Sequence, residues 1–376
     1  MPEVQDIFLN YGDTFEATHK MSLQQRKAFH AIRYCRTSTL GGHMDCCPHC
    51  GYRHPSYNSC RNRHCPKCQT FLKERWIENQ SYDLLNVPYF HVVFTVPAEL
   101  HPLFLSNQKD LYRLLFSCAY DTLRCLAADK RYLGAQIGCV EVLHTWGQKL
   151  DYHPHIHCIV PGGGLVTTCR WVPSRKKFFL PVKALSRLFR GKFLAALAKI
   201  PLVFHGCASL YANPNTFSNL LDRCYAKNWV VYCKPPFKDA SGVIQYLGRY
   251  THRVAISNNR ILRMENGMVT FKWRDYTDRR KEKILTLSAV EFIRRFLLHV
   301  LPKGFMKIRH YGLLGNRNKT KKLLICKRLT HTPIRQKKKL PTLQLLNKLI
   351  GRDVSTCPVC GTLLKRNTSL SPPYMF

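Results

Sequence analysis

Two short turns, Cys47-Pro-His-Cys50 and Cys65-Pro-Lys-Cys68, constrain residues 1–88 more than any other feature of the chain. A CxxC turn brings two thiolates into one small volume, and two such turns supply the four soft ligands of a tetrahedral Zn²⁺. Fourteen residues separate the pairs, close to the usual four-cysteine spacing. A small zinc-knit module is therefore expected at the N-terminal end, with Cys47, Cys50, Cys65 and Cys68 around one ion. Cysteines packed as plain apolar residues are the weaker reading, because four of them fall in paired turns. His43, Cys60 and His64 lie close by and offer a second zinc some of its ligands, while Cys46 blurs the ligand choice. A third turn, Cys357-Pro-Val-Cys360, has no second half nearby, since Cys326 stands alone, and its metal stays open.

The rest of the composition says what such a chain meets. With 376 residues it has room for two or three domains. Its 59 Lys and Arg against 22 Asp and Glu give a net charge of +37, which calls for a polyanion. A membrane is the weaker partner: the best apolar run, Phe193–Phe204, is short and carries Lys199 and Pro201. The N-terminal residues lack a basic segment followed by an apolar one, so a cytoplasmic protein is expected. In that compartment the 18 cysteines read as metal ligands and small buried groups rather than disulfides.

Past residue 88 the pattern changes. Strand-like runs (Tyr89–Val96, Ile137–His144, His155–Val160) alternate with helical periodicity at Leu111–Leu126 and Leu185–Ala198. Glu265-Asn266-Gly267 reads as a hairpin turn between Arg260–Met264 and Val269–Trp273. This order suggests an α+β domain over 89–300, followed by a basic region over 301–376. From Phe292 to Arg352 there is no acid, against seventeen Lys or Arg. A solvated face would explain the charge alone. Interleaved Phe305, His310, Tyr311, Leu313 and Leu314 favour nucleic-acid binding.

Two stretches carry chemistry. In His153-Pro-His155-Ile-His157, alternate residues of a strand face the same way about 7 Å apart, so His155 and His157 can reach one cation. Three histidines on a wet strand are the bland alternative, but these run into an apolar segment. If the loop before them has an even length, His144 falls opposite His155 and becomes the third ligand, with His153 and Gln148 as competitors. In Ser241–Arg253, Tyr246 and Tyr250 are four apart on one face of a helix, with Arg249, His252 and Arg253 around them. Two core tyrosines would be unremarkable alone. Beside the histidines they suggest phosphoryl transfer to a phenol, whose pKa of about 10 makes it a poor nucleophile without help.

Several stretches resemble the two-tyrosine rolling-circle transposases of the insertion sequence 91 family. They are Tyr57–Gln69, Phe94-Thr-Val-Pro97, Leu143–Gln148, His153–His157 with Gly162-Gly-Gly164, Trp229–Tyr232, Tyr246–Ser257 and Arg309-His-Tyr-Gly312. The resemblance implies an HUH endonuclease core on a central antiparallel sheet with flanking helices, preceded by a zinc-binding DNA-recognition domain. It implies cleavage of single-stranded DNA at element ends and target to a 5′-phosphotyrosine and a free 3′-OH, with Mg²⁺ or Mn²⁺. By motif position His155 and His157 are the metal ligands and Tyr246 and Tyr250 the nucleophiles; the third ligand is not fixed. Arg61, Arg63, Arg249, Arg253 and Arg309 are the expected DNA contacts. Such a protein would act at the bacterial nucleoid, and a homodimer is compatible with it.

Three other readings compete. A plasmid replication initiator or relaxase would share the histidines and tyrosines. A non-enzymatic zinc-finger protein would leave both sets unused, and an RNA-binding protein lacks any RNP-type or KH-type signature here.

Overall fold

The computed structural model describes residues 2–166, 170–175, 179–237, 242, 243, 246, 248 and 254–372. Its centre is a five-stranded sheet in the order β12-β4-β5-β3-β8, antiparallel at every pairing. The strands are β3 (Tyr89–Thr95), β4 (Gly138–Trp146), β5 (Tyr152–Pro161), β8 (Val231–Phe237) and β12 (Ile308–Gly312). The expected strands at Tyr89, Ile137 and His155 are thus three adjacent members of one sheet, and the α+β class holds.

Period-two alternation divides this sheet into two unlike faces. Phe90, Val92 and Phe94 of β3 and Ile156, Cys158 and Val160 of β5 point into the main core. The helices α5 (Gln108–Ala128) and α6 (Val182–Leu197) close over them. Leu111, Leu115, Cys118 and Thr122 recur at three- and four-residue steps on α5, so one stripe is buried. Among the described residues no helix is long and apolar enough to cross a membrane.

A second core lies beside the sheet. Phe8 of α1 (Val4–Thr18) and Phe29 of α2 (Leu23–Arg33) meet Phe292 and Phe296 of α8 (Ala289–Leu297). Phe8 sits 5.3 Å from Phe29 and 5.4 Å edge-on from Phe296, between ring centroids. Ser288 caps α8 through the amide of Glu291. The expected hairpin is present: β9 (Ile261–Glu265) and β10 (Met268–Asp275) join through Asn266 and Gly267, both at positive φ as a tight two-residue turn needs. Strand β11 (Lys281–Ser288) completes that sheet.

A third sheet links the two ends of the chain. Strand β1 (Gly42–Cys46) pairs with β2 (Arg53–Tyr57) on one side and with β13 (Lys365–Leu370) on the other. Contacts therefore cross both expected boundaries: β12, from the region after 300, is an edge of the central sheet, and β13 belongs to the N-terminal hairpin.

Candidate functional site

The polar face of the central sheet gathers the histidines. His144, His155 and His157 bring one ring nitrogen each within 4.8 Å of one another. His155 and His157 share β5, and β4 delivers His144 directly opposite His155. The hairpin tip encloses an odd number of residues between Trp146 and Tyr152, but an irregularity between His144 and Trp146 restores the even register. Trp146 stacks on the His144 ring at 4.6 Å. Neither competitor joins that group, although the His153 ring lies 5.1 Å from that of His155. His153 packs edge-on to His101, and Gln148 turns to the hydroxyl of Tyr276 and the amide of Arg274.

The ring nitrogens are already oriented. The Nδ1 of His155 lies 2.7 Å from the carbonyl of His153, so Nε2 is the atom suited to a cation. The Nδ1 of His157 lies 2.8 Å from Nε2 of His91, a residue the sequence reading passed over. His91 sits on β3, on the same face, and the Tyr246 hydroxyl lies 2.8 Å from its Nδ1 and 3.1 Å from its Nε2. Burial first, then Lys234 and His155, pushes His91 down to about 3, so it is neutral at physiological pH. A histidine inside the apolar run Tyr89–Val96 was the one available signal. Imidazoles of this kind suit a divalent ion, and the three-histidine set fits Mg²⁺ less well than Mn²⁺, because Mg²⁺ favours oxygen ligands.

Tyr246 is half-buried against Phe237, Trp76 and Val243. Gly248, two residues on, packs against Ile77 of α3 (Pro66–Ser81), whose side chain would have to shift to admit a Cβ there. Tyr250, Arg249, His252 and Arg253 lie outside the described residues.

The cysteine turns are not grouped as their spacing suggested. Cys65 and Cys68 join Cys35 and Cys60, whereas Cys47 and Cys50 face Cys357 and Cys360. Cys65 caps the start of α3, which carries Cys68 in its first turn toward the end of α2 and Cys35. The Sγ atoms of Cys35 and Cys60 both lie 3.6 Å from that of Cys68, whose thiol these neighbours hold far below its ordinary value. The other turn closes the β1–β2 hairpin and points to the opposite side. The second zinc expected from His43, Cys60 and His64 is also not assembled. His43 pairs with Asp45, and His64 accepts the amide of Leu301.

The expected DNA contacts divide as well. Arg63, half-buried, donates to the carbonyls of Phe305 and Pro302 and so braces the loop before β12. Arg61 is exposed. Arg309 lies over the rings of Phe116 and Phe305 at the edge of a cleft of about 860 Å³. Lys109, Arg113 and Lys303 also line it, with Phe305 and Tyr311, and none of its described lining residues is acidic. Part of the acid-free stretch is spent internally: Lys319 and Lys337 pair with Asp83, and Lys327 donates to the carbonyl of Tyr82.

Comparison with known proteins agrees with this arrangement. Residues 138–322 match the family described as "Putative transposase", and residues 7–96 match a transposase zinc-binding domain of the insertion sequence 91 type. That second match contains all of Cys35, Cys60, Cys65 and Cys68, so the module is a structural zinc-binding one. The chain is 46% identical over 369 residues to "Putative transposase y4qJ" of Sinorhizobium fredii, covering 96% of this chain and 93% of that one. It is 32% identical over 298 residues to the transposase for insertion sequence element IS801 of Pseudomonas savastanoi pv. phaseolicola, covering 75% and 68%. No solved structure matches. The chain belongs to the insertion sequence 91 family of transposases and carries that family's zinc-binding domain toward its N-terminal end.

Proposed function

We propose that the protein cleaves and rejoins single-stranded DNA at element ends, with Tyr246 as a nucleophile and Tyr250 as its partner for the second attack. The observation that carries this reading is the contact chain from the Tyr246 hydroxyl through His91 to His157. In the step, the Tyr246 oxygen bonds to phosphorus as its phenol proton passes to solvent water, the bond to the 3′-oxygen breaks, and that oxygen takes a proton from solvent and leaves as a 3′-OH. The product is a 5′-phosphotyrosine that keeps the bond energy for rejoining.

His144, His155 and His157 are the residues that would hold Mg²⁺ or Mn²⁺, which when bound draws charge from the non-bridging phosphate oxygens. Holding a cation through Nε2 fixes the proton of His157 on Nδ1, where it donates to Nε2 of His91. His91 then carries its own proton on Nδ1 and donates it to the Tyr246 oxygen. A neutral imidazole in that tautomer is a poor base, so its work is to stabilise negative charge on the phenol oxygen. Lys234, 5.8 Å from the Tyr246 ring, adds to that field.

Bacterial single-stranded DNA carrying the element ends, incubated with Mn²⁺, provides the test. A covalent protein–DNA adduct, lost when Tyr246 and Tyr250 are both changed to Phe, is the expected result. Tight binding without any adduct would return the chain to a DNA-binding protein. Nicking confined to a plasmid origin would favour a replication initiator.

A further inference from the structure

The zinc-binding match covers only half of the second cysteine group: Cys47 and Cys50 lie inside it, Cys357 and Cys360 far outside. We propose that these four residues hold a second Zn²⁺, and that this ion clasps the C-terminal segment to the N-terminal hairpin.

The two turns are built alike. Each reads Cys-Pro-x-Cys-Gly, and each closing glycine, Gly51 and Gly361, adopts φ near +75 (74° and 76°). In each, the first cysteine's amide donates to a carbonyl five residues on, Tyr52 for Cys47 and Thr362 for Cys357, at 2.8 Å. In each, the glycine amide returns to the first cysteine's carbonyl. Two such knuckles facing one another form a ribbon-type tetrathiolate shell. Cys47 and Cys360 approach to 3.4 Å between sulfurs, and Cys50 and Cys357 to 3.6 Å. A disulfide would bring the pair to about 2.05 Å, whereas ligands at a Zn–S distance of about 2.3 Å stand roughly 3.8 Å apart. The spacing is that of ligands.

The segment needs such a fastening. Between residues 331 and 372 only Leu345 and Cys357 are buried among the described residues. A stretch so poor in core cannot hold its place by apolar burial, and structural metal is the usual substitute. From Thr332 to Leu340 it lies along α3 and the residues just after it through hydrogen bonds and the Lys337–Asp83 ion pair. Tyr82 meets the carbonyl and the amide of Lys338, Arg75 donates to the carbonyl of Leu340, and Glu78 accepts its amide. With β13 paired to β1, the ion would fix the far end of this strap.

The full chain, purified without chelator, is expected to hold two zinc ions by elemental analysis. Cys360→Ser, at an exposed position, should drop this to one and open Lys337–Lys339 and the residues beyond to trypsin. Cys360→His, which keeps a zinc-competent ligand, should retain both ions and the protection. If the Ser variant is insoluble, the wild type suffices: under graded chelation, tail cleavage should track loss of the first ion. One zinc in the wild type would overturn the proposal, as would two in Cys360→Ser. So would an unchanged tail after the ion is lost, or a Cys47–Cys360 or Cys50–Cys357 disulfide found by non-reducing peptide mass spectrometry.

Discussion

The two faces of the central sheet are made by the same five strands and serve opposite ends. On one face, phenylalanines, valines and isoleucines interlock with α5 and α6, and at the β12 edge Arg309 of that face reaches the cleft. On the other, the same backbone spacing sets out His91, His144, His155 and His157, with Tyr232 and Lys234 on the neighbouring strand. The core face fixes which residues of β3, β4 and β5 pair, and that register is what gathers the histidines. A slip of one residue on β5 would exchange the faces, placing Ile156 and Cys158 at the site. Stability and, on the proposed function, chemistry are thus set by adjacent residues of one strand, and substitutions can separate them.

The largest effect is expected on the core face. Phe94→Ala removes a fully buried ring packed 4.9 Å from Phe189 and should cost about 3–5 kcal/mol of stability, read by chemical denaturation. Purified protein that stays folded should keep its metal affinity, and a specific loss of metal without loss of stability would break the comparison. On the polar face, His157→Ala should lower adduct formation by about 100-fold or more while leaving the denaturation midpoint nearly unchanged. Unaltered cleavage would remove His157 from the site.

His91→Phe sharpens the division further, since it keeps a ring in the buried slot and removes both nitrogens. Adduct formation should fall by about 10–100-fold with Mn²⁺ affinity within a few-fold of the wild type, as the proposed contact of His91 with the phenol oxygen requires. A wild-type rate would sever the chain from Tyr246 to His157.

The smallest effect tests a buried carboxyl on the apolar face, opposite Arg309 of β12. Glu141 is fully buried beside Cys158 and Cys139, and one of its oxygens has no hydrogen-bond partner among the described residues. Burial pushes its carboxyl well above the ordinary 4.5, with Arg309 only partly opposing. The folded state therefore keeps a proton that the unfolded chain releases above that pH. Its contribution is complete at low pH and declines as pH rises from 4.5 toward the folded value. Glu141→Gln should lack this decline, so its stability relative to wild type should grow between pH 5 and pH 8 in urea melts. The opposite trend would mean that Glu141 is ionised and paired with Arg309.

What the sequence reveals follows the distance over which each signal acts. The histidines are two residues apart on one strand, so spacing alone places His155 and His157 on one face. The partner strand needs only a loop length to bring in His144. The cysteine turns are equally clear as turns, but a knuckle supplies half a shell and carries no mark of which half completes it. Cys35 and Cys60 are single cysteines without motif, and Cys357 lies 307 residues from Cys50. His91 was invisible for a related reason: its role comes from strand pairing with β5 and from the helix carrying Tyr246. Arg63 shows the converse, a basic residue in a polar stretch whose carbonyl partners at Pro302 and Phe305 belong to a distant loop.

The pairing of β1 with β13 also has a consequence in time. A chain emerging from the ribosome completes the hairpin of β1 and β2 early, but the third strand of that sheet is made only when Leu370 has been added. Until then one edge of β1 is open, and the thiols of Cys47 and Cys50 wait for partners 313 and 307 residues away. Closing so long a loop is among the slowest events a chain of this size undergoes. The central sheet and the histidine cluster, assembled by β12, can be in place before it. A nascent transposase would thus assemble its histidine cluster before β1 and β13 meet, and the residues that form β13 would set when that sheet is complete.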